Sequence, residues 1–166
     1  QAAKLNRHEL REDQFVVPAA GAARYAQLKN LLLQEHCPVQ LKQGQSHSCL
    51  AAADAVLVAS GTATLEAALF KKPMVIAYVM PAVSWHLMKN KGYLPWVGLP
   101  NILCKDFVVP ELLQDRATPQ ALAEAVLKQL SDDGKRAALK ERFSLLHTAL
   151  KRDFALTAAR TVLEKL

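Results

Sequence analysis

Two hydrophobic periods alternate along this 166-residue chain. Phe15-Val-Val-Pro-Ala19 is a short apolar run, with polar Asp13 and Gln14 before it and Gly21 after it, which reads as a strand. Ala22, Tyr25, Leu28, Leu31 and Leu32 then recur at helical spacing over 22–36. Pro38-Val-Gln-Leu-Lys42 is a weaker strand closed by Gly44, and Ser46 is a candidate N-cap for a short helix over 47–53. Apolar runs at 55–59 and 74–78 read as strands around a helix at 63–71. From Pro81 to Pro100 an aromatic helical pattern (Val83, Trp85, Leu87, Met88) gives way to Gly92, Pro95, Gly98 and Pro100, which break regular structure. Beyond Leu112 everything reads as helix. Thr118 and Pro119 form a helix start, Asp132-Asp-Gly134 an end, and two further helices run towards Leu166.

Strands separated by helices predict an α/β fold: a Rossmann-like parallel sheet with helices on both faces and a helical C-terminal tail. Four strands are few for that architecture, and one more ahead of Gln1 would complete it. The opening residues, Gln1-Ala-Ala-Lys-Leu5, look like the inside of a helix, and there is no initial Met, so the chain reads as an internal fragment.

The densest chemistry lies in Ala59-Ser-Gly-Thr-Ala-Thr-Leu-Glu66, at the predicted carboxyl end of the third strand. Ligands of parallel sheets bind at that edge, and a helix amino terminus there offers unpaired N–H groups and a positive dipole end to a phosphate. Thr62 and Glu66 are four apart and share a helix face. A carboxylate in that place can accept two hydrogen bonds from the vicinal diol of a ribose. On spacing alone a purely structural account stands equally: Ser60, Thr62 and Thr64 as helix caps, Glu66 as an acid favoured by the dipole. The dinucleotide fingerprint, the P-loop and the G-x-S-x-G elbow are all missing.

Composition narrows the field. About half the residues are apolar (51%) and 22% are charged, as in a folded globular domain. No apolar run reaches the roughly 20 residues that cross a bilayer. Cys37, Cys49 and Cys104 have no metal-ligand spacing, suit a reducing compartment, and read as small buried hydrophobes. The net charge of +6 suits an anionic partner or simply solubility. Lys135, Arg136, Lys140 and Arg142 are interleaved with acids, so they read as a solvated face, and no nucleic-acid motif is present. The histidines (His8, His36, His47, His86, His147) have no evident carboxylate or cysteine partner and read as surface residues, with His86, beside Trp85, the one to watch. In Lys89–Pro100, lysines mix with Tyr93 and Trp96; such segments either touch lipid headgroups or pack on a core. Asn101 follows as a helix N-cap or a polar contact aimed into the cleft.

Phe15–Pro18, then Ala53–Ala67 with Lys72-Pro-Met-Val75, then Leu99-Pro-Asn-Ile-Leu103 with Glu111-Leu-Leu-Gln114 resemble, in order and spacing, the carboxyl-terminal domain of lipid-A-disaccharide synthase over essentially all of 1–166. The resemblance implies a GT-B glycosyltransferase of two Rossmann-like domains. It would join UDP-2,3-diacylglucosamine to lipid X through a β-1,6 linkage and release UDP. Residues 1–166 would be part of the UDP-sugar-binding domain. By the resemblance, Ser60, Gly61, Thr62, Ala63 and Thr64 line the diphosphate, Glu66 holds the ribose, Gly44 lies near the uracil and Asn101 faces the active site. No metal, cofactor or catalytic residue is expected in this stretch. The family's first strand with its arginine-bearing phosphate loop, and the amino-terminal domain with the general base, are not in this sequence, so the chain alone is expected to be inactive. Donor, lipid acceptor and the cytoplasmic face of a Gram-negative inner membrane are the implied partners, with a homodimer left open and no nucleic acid. Another UDP-sugar GT-B enzyme (an N-acetylglucosaminyl transferase or epimerase) and a non-catalytic nucleotide-binding module are the alternatives.

Overall fold

The computed structural model describes residues 14–35, 39–59, 61–81, 84–85, 95–151 and 161–164. Strand β1 (Phe15–Ala19), helix α1 (Ala22–Gln34) and strand β2 (Val39–Gln43) form a βαβ unit with the strands parallel, Phe15 opposite Val39. Helix α2 (Ser46–Ala52) leads to β3 (Val56–Ala59), α3 (Thr62–Leu69) and β4 (Met74–Tyr78). Helix α4 (Leu99–Cys104) precedes a short strand, β5 (Glu111–Leu113), which gives way to a 3₁₀ turn over Gln114–Arg116. Helices α5 (Pro119–Ser131) and α6 (Asp133–Leu150) follow. Strands β3, β4 and β5 form a second parallel sheet in that order, and among the described residues no ladder joins β1 to β3. The α/β reading of the sequence holds.

The core follows from the pleat of β4. Met74, Val75 and Ile76 are all fully buried, as expected of a central strand covered on both faces. Met74 and Ile76 join Ala67 and Ala68 of α3, Val109, and Leu139 and Phe143 of α6 in one cluster. Val75 points to the opposite face by the period of two. Helix α5 lies against β3 and β4. The alanines let α3 approach the sheet closely, and Phe143 fills the volume they leave. Lys71 Nζ, just past α3, donates to His147 Nδ1 of α6 at 2.6 Å. The β1–α1–β2 unit is thinner: α1 has no fully buried residue, and Leu33 is 65% exposed.

Thr118 caps α5 by accepting from the Ala121 N–H at 3.2 Å, as the sequence predicts. Asp132 ends α5 and begins α6, accepting from the Lys135 N–H at 2.9 Å. That backbone hydrogen bond, helped by the Lys135 side chain, holds the Asp132 carboxyl below its ordinary 3.8.

Several sequence readings change. Ser46 is not an N-cap: Gln45 holds that position with φ 59° and no side-chain cap. The stretch beyond Leu112 is not all helix, because Glu111–Leu113 pairs with Ile76–Tyr78 as a fifth strand. Gly98 and Pro100 do not break structure but start α4. Cys49 and Cys104 are half-buried free thiols rather than core residues. Cys37, His8, His36, His86 and most of Lys89–Pro95 lie outside the described residues.

Candidate functional site

The five strands among the described residues run parallel within their sheets, so the carboxyl end of each opens into a loop that can face a ligand. Two of these loops need unusual backbone. After β2, Gly44 and Gln45 both take left-handed φ, 66° and 59°, turning the chain sharply into α2. After β3, Gly61 sits at φ 138° and ψ −167°, a region nearly closed to residues with a Cβ. No atom lies where a Cβ on Gly44 or Gly61 would go, so backbone conformation rather than crowding demands glycine.

Gly61 starts α3. The N–H groups of Thr62 and Ala63 stand in its first turn, with no carbonyl four residues back to accept them, and both residues are exposed. Helix dipole and first-turn N–H donors are what an anion-binding end requires. Thr64 behaves differently. It is fully buried, its N–H bonds the Gly61 carbonyl at 3.1 Å, and its hydroxyl donates to the same oxygen at 2.7 Å. Thr64, expected to line the diphosphate, donates its hydroxyl to the Gly61 carbonyl, where it braces the turn. Ser60 lies outside the described residues.

One turn along α3, Glu66 is partly exposed, and its Oε2 lies 3.6 Å from His47 Nε2. His47 rises from the first turn of α2, just past Gly44, and its ring also meets Phe70 with centroids 5.5 Å apart. The fold thus brings the Gly44 turn, His47 and Glu66 together from two loops. His47 was passed over in the sequence because nothing local pairs it. The usable signal was its place three residues after a strand-ending glycine.

Asn101 does not join them. It is neither an N-cap, since Gly98 holds that place in α4, nor exposed to a cleft. Its amide is fully buried: Nδ2 donates to the Val109 carbonyl (2.9 Å) and Glu111 Oε1 (2.7 Å), and Oδ1 accepts from the Val109 N–H (3.0 Å). A side chain with both ends spent inside acts on α4 and β5, not on solvent. Glu111 completes the network by accepting from the N–H groups of Val97 and Gly98, each at 2.9 Å. Nothing in the sequence marked Glu111, which is only 8% exposed, as a buried carboxylate. Three donors compensate its charge there. Trp96 packs edge-on to Phe107, itself 60% exposed, at 6.0 Å. Among the described residues no three His, Cys, Asp or Glu side chains cluster to hold a metal ion, and no helix is long and apolar enough to cross a membrane.

This arrangement can hold an anion at Gly61–Ala63 and a hydroxylated group at Glu66, the pattern of a nucleotide. The lipid-A-disaccharide synthetase family matches over residues 1–164. A lipid-A-disaccharide synthase of Albidiferax ferrireducens is 55% identical over 89% of this chain and 39% of its own length. One from Cupriavidus pinatubonensis is 53% identical over 90% of this chain and 38% of its own. For Paraburkholderia xenovorans the figures are 50%, 97% and 42%. The chain therefore spans about two fifths of the length of these relatives. With a match running almost end to end and half or more of aligned positions identical, the chain belongs to the lipid-A-disaccharide synthetase family.

Proposed function

We propose that this chain is the donor-binding part of a GT-B glycosyltransferase that joins UDP-2,3-diacylglucosamine to lipid X, forming the β-1,6 lipid A disaccharide and releasing UDP. The observation that carries the reading is the juxtaposition of the glycine-bound α3 amino terminus with Glu66 at a sheet's carboxyl edge, in a chain of this family.

The acceptor 6-hydroxyl displaces UDP at the anomeric carbon, so negative charge grows on the departing diphosphate. The first-turn N–H groups of α3, with Gly61, Thr62 and Ala63, meet that charge without reorganisation. Thr64 keeps the turn in shape. Glu66 accepts the ribose hydroxyls, and His47 restrains its carboxylate from the side. The Gly44–Gln45 turn borders the uracil. Asn101 acts at a distance, by fixing α4 against β5. The base that takes the acceptor proton belongs to the remainder of the longer protein.

The two sheets support the domain reading. In a doubly wound sheet of order 3-2-1-4-5-6, β2 and β1 fit the first two places and β3, β4 and β5 the last three. One parallel strand then fits between β1 and β3, beside the Gly61 turn, where among the described residues no ladder joins the two sheets. Residues 1–166 are in this reading an incomplete donor domain, inactive alone. The full protein works at the inner-membrane surface, where both of its substrates carry acyl chains.

UDP titration of the full-length protein and its Glu66→Ala variant tests the assignment. The variant should bind at least about tenfold more weakly, as when a charge-assisted pair of hydrogen bonds is lost. Equal affinities would remove Glu66 from the ribose.

A further inference from the structure

We infer that Gln114 is a positioning residue of the donor site, a side-chain clamp that fixes the point where the chain leaves β4. The inference rests on the donor reading above.

The β4–β5 ladder ends with Tyr78 opposite Leu113. At the next residue β5 turns away, and Gln114 takes φ 51° as it enters the 3₁₀ turn. Its side chain then continues what the backbone abandons. The Met80 N–H donates to Gln114 Oε1 at 2.7 Å, and Gln114 Nε2 donates to the Met80 carbonyl at 3.1 Å. One primary amide thereby satisfies both polar groups of one peptide residue. Extending the observed registers by one or two residues sets Gly61, Val79 and Gln114 at one level across β3, β4 and β5. The clamp lies on the edge that carries the anion-binding turn, two strands from it, which is about 10 Å.

The backbone strain makes the side chain informative. Of the other residues with a Cβ at positive φ, Lys71 and Lys105 close α3 and α4, where a left-handed residue is ordinary, and Gln45 turns the chain into α2 behind Gly44 with no side-chain cap bond. Gln114 follows a strand, where left-handed φ is unfavourable for a residue with a Cβ. Glycine would carry no such cost, and asparagine less than glutamine. Neither reaches Met80: glycine has no side chain, and asparagine is one methylene short. A glutamine held there is explained by the amide it delivers. Without it Met80, one residue past the position level with Gly61, loses its fixed place. Misplacement of that kind falls on ligand binding rather than on the core, since the hydrogen bonds of the Gln114 amide go to the Met80 backbone and Gln114 is not a member of the buried cluster.

The test uses the full-length protein with Gln114→Asn and Gln114→Gly, both of which ease the backbone while removing the clamp. Thermal unfolding, and KM for the UDP-sugar donor and for the lipid acceptor separately, are compared with wild type, with Glu66→Ala alongside. Both variants should unfold within about 2 °C of wild type and raise donor KM about tenfold, the loss of two hydrogen bonds, with acceptor KM unchanged. Unchanged donor KM would overturn the inference. So would equal rises in both KM values, or a fall in unfolding temperature beyond about 5 °C, either of which makes Gln114 a general structural residue. If Glu66→Ala also leaves donor KM unchanged, the donor site itself is misassigned. If Glu66→Ala responds and the Gln114 variants do not, only the clamp fails.

Discussion

Replacing Glu111 gives the sharpest test of how the fold holds α4. Its carboxylate accepts from Val97 N–H through Oε2, and from Gly98 N–H and Asn101 Nδ2 through Oε1. In Glu111→Leu, similar in size, Asn101 Nδ2 keeps the Val109 carbonyl, but the Val97 and Gly98 N–H groups lose their acceptor. Each such orphan costs roughly 1–3 kcal/mol, so the pair costs about 2–6 kcal/mol. Relief from burying a carboxylate returns part of this, leaving about 2–4 kcal/mol. Glu111→Gln keeps one oxygen, best placed at the doubly occupied Oε1 position, and turns an NH₂ towards the Val97 N–H. It forfeits one charge-assisted bond, about 1.5–3 kcal/mol. Hydrogen exchange in the full-length protein reads this locally. Amides in a peptide spanning 95–104 should exchange about 30- to 1,000-fold faster in Glu111→Leu, at 1.4 kcal/mol per decade, and about 10- to 100-fold faster in Glu111→Gln. A peptide around Phe143 serves as control and should change less. Unchanged exchange at 95–104 in the leucine variant would refute the argument, because the carboxylate would then not be what holds those amides.

Other substitutions test other parts of the chain. A Cβ on Gly98 would collide with Ile76 Cδ1 and stand 3.1 Å from Glu111 Oε1, so Gly98→Ala should cost about 1–3 kcal/mol by denaturant unfolding, and the double variant with Ile76→Val should recover part of it. Gly61→Ala meets no atom but is strained at φ 138°; it should cost roughly 1–3 kcal/mol and weaken UDP binding, and unaltered binding would argue against the turn as a phosphate site. Phe143→Ala, emptying the middle of the core, should cost about 3–5 kcal/mol in the same unfolding assay. The Asp132 carboxyl is held below 3.8 in the folded chain, so its contribution to stability is present above that pH and is lost as pH falls through the lowered value. Asp132→Asn keeps the cap but should flatten that acid limb of stability measured from pH 6 to 2; an unchanged limb would remove Asp132 from it.

Most of the fold was legible where a local rule had no competitor. β1, α1, β3, α3 and β4 lie within a few residues of their hydrophobic runs, and Thr118 caps α5 where its side chain and Pro119 predict. Where tertiary contacts outvoted local signals, the reading failed. Glu111-Leu-Leu has no alternation and begins with a charge, yet it is a strand because β4 offers an unpaired edge and three N–H donors await the carboxylate. Gly98 and Pro100 carry the signals of broken backbone. They begin a helix because Gly98 must fit against Ile76, and Pro100 can occupy an early helical position without an N–H. In the candidate site the Gly61 turn and Glu66 were visible from spacing. The pairing of Glu66 with His47 was not, because 19 positions separate them and only the tertiary fold, which sets the His47 ring near Glu66 and Phe70, closes the distance.

By itself the sequence determined the parallel α/β class, the glycine-bound turn at the head of α3 and the family, because each depends on residue order within a short window or a run of matched windows. Which polar side chains face a ligand and which are spent inside was decided only by the tertiary structure. Thr64 and Asn101 carry the same groups as any ligand contact, and burial next to the Gly61 and Val109 backbone turned both inward. His47, Glu111 and Gln114 gained their partners the same way, since a hydrogen bond needs two groups within about 3 Å. Chain order sets that distance only for near neighbours.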